Sequence, residues 1–122
     1  MSKTEYKTVC GNRFRFTEYD DITEIATFIA AHDMFHDASI EHLEHTAEHT
    51  TISFHHYADN EGTVHRLRFT GNIALIMDLD LLLRFIYEIE LSVKDRIQAS
   101  FEGTGIIVKS DKLTLITQEH LN

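Results

Sequence analysis

The stretch Met77 to Phe101 carries no glycine and is the most apolar part of the chain. Leu79, Leu82, Leu83, Ile86, Ile89, Val93 and Ile97 recur at steps of three and four, the spacing of one helical face. The pattern predicts one long helix that starts near Asp78 and stops at Gly103. Leu81, Phe85 and Tyr87 fall off that face, so the first half is apolar nearly all round. A helix of that kind is buried against several neighbours or against another subunit. These three residues are therefore the expected homodimer interface.

Elsewhere the pattern alternates. Residues 6–17 predict a hairpin around Gly11-Asn12, a dipeptide that tolerates positive φ, with Phe14 and Phe16 on one face. Asp21 and Glu24 form a D-x-x-E cap on a helix over Ile22–Phe35, buried through Ile22, Ile25, Ala26 and Ile29. The segment SIEHLEHTAEH reads as a short second helix with Ile40, Leu43 and Ala47 as its seam. TTISFHHY and TVHRLRFT flank a turn at Ala58–Gly62, with Ile52, Phe54, Leu67 and Phe69 inward. GIIVKSDKLTLIT closes the chain as a hairpin around Ser110-Asp111. The expectation is a single α+β domain over 1–122: an antiparallel sheet of three hairpins with two main helices on one face, ββαββαββ.

An internal repeat supports that order. RFRFT at Arg13–Thr17 matches RLRFT at Arg66–Thr70, and DITEIATFI at Asp21–Ile29 matches DLDLLLRFI at Asp78–Ile86. Two such halves would be related by a pseudo-two-fold axis, with their helices side by side. The competing reading is that any strand entering a capped helix looks alike.

Charge narrows the partners. Acidic residues number 20 and basic ones 11, a formal charge of −9. Direct DNA or RNA binding draws on clustered Lys and Arg and is disfavoured. An acidic chain instead suits a basic protein partner, although net negative charge also serves solubility alone. The single Cys10 cannot form an internal disulfide and points to a reducing, cytoplasmic setting. Asp78, Asp80, Arg84, Glu88 and Glu90 interrupt the apolar run at residues 73–91, which argues against a membrane span.

Nine histidines are the most unusual feature, eight of them between positions 32 and 65. On helices, His32 and His36 would share one face, and His42, His45 and His49 another. Imidazoles one turn apart chelate Zn²⁺ or Ni²⁺, with Glu41 or Glu48 as an oxygen ligand. Against this stands the plain alternative of a solvated polar face, since no HExxH or paired cysteine accompanies them. His65 reads as a hydrogen-bonded histidine of the core or rim. Protonation of all nine would bring the formal charge to zero, in keeping with a pI near 5.3.

The sequence carries no G-x-S-x-G, P-loop or G-x-G-x-x-G motif. The expectation is a non-enzymatic, acidic protein-binding regulator or inhibitor without a cofactor, of the phage or mobile-element inhibitor or toxin-immunity type. Its partner would carry a basic nucleic-acid-binding surface, and the contact residues would be Glu18, Asp20, Asp21, Glu24, Glu41, Glu44 and Glu48. The rival expectations are a histidine-based metal sensor and a small-ligand module.

Overall fold

A computed structural model describes residues 2–78 and 84–121. Its elements in chain order are β1 (Ser2–Val9), β2 (Asn12–Tyr19), α1 (Ile22–Ala31), a 3₁₀ turn (Asp33–Phe35), β3 (Ser39–His45), β4 (His49–His55), β5 (Val64–Thr70), β6 (Ala74–Met77), β7 (Glu88–Val93), β8 (Ile97–Glu102), β9 (Ile106–Ser110) and β10 (Lys112–His120). They build two antiparallel sheets, one in the order β1-β2-β10-β5-β4-β3 and one in the order β6-β9-β8-β7. The α+β expectation with two main helices is overturned. Among the described residues α1 is the one α-helix, and the protein is a two-sheet β structure.

The long apolar run fails as a helix for a specific reason. Steps of four, from Ile89 to Val93, Ile97 and Phe101, fit a helical face and a strand face equally. Leu91 and Ala99 decide between them: with their neighbours they give Ile89-Leu91-Val93 and Ile97-Ala99-Phe101, a period of two. These triplets are β7 and β8, joined by a turn at Lys94–Arg96 with Val93 opposite Ile97. Residues 79–83, including Leu81, lie outside the described residues.

The segment expected as a short second helix is instead strand β3, for a different reason. Ile40 and Leu43 are three apart, like neighbours on a helix, yet both lie on β3. The pairing jumps from Ile40↔Phe54 to His42↔Ser53, a bulge at Glu41. The extra residue turns a step of three into one strand face.

The remaining corrections are smaller. Val9 pairs with Asn12, so the first turn is Cys10-Gly11, with φ of 51° and 81°. The exposed Cys10 thus sits in the turn itself. The repeat also fails as a structural duplication. β2 leads into α1 whereas β5 leads into β6, and across β10 Thr17 lies level with His65 rather than with Thr70. Nor do β9 and β10 form a hairpin, because they belong to different sheets.

That last pair shows how the sheets are joined. The β5–β10 ladder of the large sheet continues as the β6–β9 ladder of the small one, bending at Gly71-Asn72 and at Asp111. Asp111 N–H donates to the Gly71 carbonyl at 2.8 Å. Gly71 has φ +81°, and a Cβ there would meet Asp111 Cβ at 3.0 Å, so the corner requires glycine. Strands that switch sheets through such bends are how two sheets share one core. Phe69 of the large sheet meets Phe101 of the small one edge-on at 6.4 Å.

The first helix forms as its sequence predicts at its start. The Asp21 carboxylate accepts from Thr23 N–H at 2.8 Å and from Glu24 N–H at 3.1 Å, and Ile25 and Ile29 are buried. It ends at Ala31, short of Phe35, because Asp33, Met34 and Phe35 all take φ near +55°. Left-handed backbone costs roughly 1–2 kcal/mol per residue. The turn places the fully buried Phe35 against Phe54, with ring centroids 4.8 Å apart, and burial worth about 1.5–3 kcal/mol offsets part of the strain.

Candidate functional site

Two places in the fold gather polar and aromatic groups. The first begins where the sheets meet beside β3. Residues 84–86 run extended against 37–40: Ile40 N–H donates to the Arg84 carbonyl, Asp37 N–H to the Ile86 carbonyl, and Ile86 N–H to the Ala38 carbonyl. Extended backbone alternates its side chains. Ile86 therefore points inward and is fully buried, while Phe85 and Tyr87 point outward and are each 61% exposed.

Carboxylates from separate parts of the chain lie near this aromatic pair, together with Arg84 and His36. Glu88 and Glu102 stand directly opposite each other on β7 and β8. Like charges in that position destabilise a sheet. Glu41 pairs with Arg84 at 3.5 Å, and Arg84 also donates to Ser39 Oγ. His36 adjoins Tyr87: its Nδ1 donates to the Tyr87 carbonyl at 2.7 Å, and its Nε2 lies 3.5 Å from Asp37. The Tyr87 carbonyl holds the His36 pKa above its ordinary value against the opposing effect of burial, and Asp37, Asp33 and Glu88 add to the rise. Gly103, with φ +89°, sits so close that a Cβ would meet Tyr87 Cβ at 3.3 Å. Its lack of a side chain leaves room for the tyrosine.

The second place lies between α1 and the large sheet. His65 on β5 is 1% exposed. Its Nε2 donates to Asp59 Oδ2 at 2.6 Å, which leaves Nδ1 to share a hydrogen bond with Thr117 Oγ1 at 2.9 Å. Phe35, Phe54 and Phe28 surround the imidazole at 4.9, 5.6 and 5.7 Å between centroids. Burial alone would raise the Asp59 pKa, but the hydrogen bond from His65 and the nearby His65, His32 and His56 charges bring it below the ordinary value. A cavity of about 300 Å³ opens over this cluster, with Thr17, Tyr19, His32 and Glu119 on its walls. Thr117 sits on a central strand whose backbone is committed to ladders with β2 and β5. The Asp–His–Thr array thus fixes the imidazole, with both ring nitrogens engaged.

The histidines expected to chelate metal are scattered. His42, His45 and His49 lie on strands and lose the helical spacing that would align them. His45 shares a hydrogen bond with Thr50 Oγ1, and His49 donates to Glu44 at 2.6 Å. His32 stacks on Phe28 at 4.2 Å, whereas His36 faces Tyr87. Among the described residues no three His, Cys, Asp or Glu side chains converge as metal ligands.

The seven acidic contact residues also separate. Asp20, Asp21 and Glu24 surround the start of α1, and Asp21 serves as its cap. Glu41, Glu44 and Glu48 belong to the β3–β4 hairpin, and Glu44 is held below its ordinary pKa chiefly by His49. Glu18 lies opposite Lys3. β2 and β3 are four strand steps apart, roughly 19 Å at the usual spacing. Only Glu41 of the seven belongs to the rim of the aromatic pair.

Sequence reasoning missed Asp33, Asp37, Glu88 and Glu102 as one group, and Asp59 as the partner of His65. A visible signal was the strict alternation Phe85-Ile86-Tyr87. Comparison with protein-family models, curated proteins and solved structures gives no match for this chain. No described helix is long and apolar enough to cross a membrane.

Proposed function

We propose that this chain is a non-enzymatic protein-binding module that docks a basic partner on the Phe85–Tyr87 face and acts as a regulator or inhibitor of that partner. The observation that carries the reading is the pair of exposed aromatic rings beside the carboxylates of Asp37, Glu41, Glu88 and Glu102. Aromatic anchors at the centre with charge around them are the anatomy of interface hot spots. The direct Glu88–Glu102 opposition supports it, since a like-charge pair retained on a sheet suits a surface meant for cationic side chains. A second copy of the chain would bring the same carboxylates against one another, so the proposal commits to a different, basic protein. Proteins that handle nucleic acid present surfaces of that sign.

The test is an NMR titration of isotope-labelled protein with a short peptide of alternating Arg and Leu. Shifts should concentrate at residues 36–41, 84–88 and 102–103, and affinity should fall as salt rises from 0.05 to 0.5 M, about a threefold shortening of the screening length. Shifts centred on Asp20–Glu24, or binding indifferent to salt, would sink the reading.

A further inference from the structure

A second depression lies beside the cavity over His65. An open groove of about 400 Å³ runs along α1 past Thr23, Thr27 and Ala31. Tyr19 and Phe28 line both spaces, their rings tilted at 5.3 Å between centroids. A polar chamber and a more apolar groove therefore share one aromatic wall.

Among the described residues the chamber is lined by two carboxylates, Asp59 and Glu119, and by no Lys or Arg. Asp59 is held ionised, and with Oδ2 receiving His65 it keeps a second oxygen. Glu119 is a carboxylate whose cation, Arg15, is already bonded to it through two contacts at 3.0 and 3.2 Å. His32 donates Nδ1–H to the Phe28 carbonyl at 2.9 Å, and its ring forms part of the chamber wall. Glu24 lines the groove and adds a further negative charge. Carboxylates beside aromatic faces favour an organic ammonium, which gains both ion pairing and attraction to the rings. An anion would meet Asp59 and Glu119, whose partners His65 and Arg15 are already engaged with them, and the described residues hold no metal-ligand cluster.

We infer that this chamber and groove form a binding site for a small organic amine with an apolar arm. The ammonium sits by Asp59, and the arm crosses Tyr19 and Phe28 into the groove. The site is separate from the Phe85–Tyr87 face and does not depend on the protein-binding reading.

The experiment is calorimetric titration of the intact chain at pH 7 with phenethylamine, with 2-phenylethanol as its neutral counterpart and 3-phenylpropionate as its anionic one. The amine is expected to saturate the protein at one equivalent, about tenfold or more tighter than the alcohol, with no binding of the acid. Asp59→Asn should remove the preference for the amine. Because that change also touches His65, a second variant protects the test: Ala31→Arg lies on the exposed side of α1 and should weaken amine binding by about tenfold through blockage and charge, with an unchanged melting temperature. No saturable amine binding, equal binding of amine and alcohol, or full affinity in Ala31→Arg would each overturn the inference.

Discussion

The His65 cluster and the Phe85–Tyr87 face use similar residue types to opposite ends. Around His65 the polar groups answer one another: Nε2 meets Asp59, Nδ1 meets Thr117, and aromatic rings enclose the imidazole. Around Tyr87 the aromatic rings face solvent and two glutamates oppose each other across a ladder. Buried polar groups must be paired because an unpaired one costs about 1–3 kcal/mol. At the surface, a few tenths of a kcal/mol of repulsion can be tolerated when the arrangement serves contact. The paired groups around His65 hold the fold there, whereas the rings of the Phe85–Tyr87 face are left toward solvent beside its opposed glutamates.

Substitution should therefore separate the two regions by size and by sign. The largest effect belongs to Phe35→Ala, which empties the centre of the aromatic cluster and leaves its left-handed turn without compensation. A loss of about 3–5 kcal/mol is expected in urea unfolding. Asp59→Ala comes next, at about 1–3 kcal/mol, because His65 loses its buried acceptor. Its pH dependence has a definite sign. The folded-state pKa of Asp59 is lowered, so its contribution is complete above the unfolded value of about 3.9 and disappears as pH falls through the lower folded value. The wild type should lose more stability on acidification than the variant does.

At the aromatic face the sign reverses. Glu102→Gln removes half of the like-charge pair and should raise stability by about 0.2–0.5 kcal/mol while weakening the Arg–Leu peptide. A drop in stability would place Glu102 in the structural class instead. His36 gives the smallest effect. Its pKa is raised in the folded state, so its stabilisation is present below about 6.5 and lost as pH rises through the higher folded value. A His36→Gln variant should fall behind the wild type on the acidic side and match it above. Protonated His36 also adds positive charge to the rim, so peptide affinity should decline from about pH 8 to pH 6 in the wild type but less so in the variant.

What the sequence made legible follows from period and turn chemistry. The β4–β5 hairpin is clear because Ile52, Phe54, Leu67 and Phe69 alternate strictly around a polar turn, and all four are buried. The Asp21 cap is legible because capping is local. The β7–β8 hairpin was hidden because its four-residue steps suit both periods, and β3 because a bulge imitates a helical step. The left-handed turn at Asp33–Phe35 has no glycine to announce it. Of the candidate site, Phe85 and Tyr87 stood out as apolar residues off the buried pattern. Their acidic rim did not, because it is assembled from four separate parts of the chain. The His65–Asp59 pair, six residues apart, becomes a pair only when the β4–β5 loop folds back over the strand.

The claim that the outward aromatics serve contact and not folding can be tested with one double variant, Phe85→Ser/Tyr87→Ser. Its affinity for the Arg–Leu peptide and its unfolding midpoint in urea would be measured beside the wild type. The account predicts a midpoint shifted by less than about 0.5 kcal/mol equivalent and an affinity reduced about tenfold or more. Equal affinity, or a collapse of the midpoint, would contradict it.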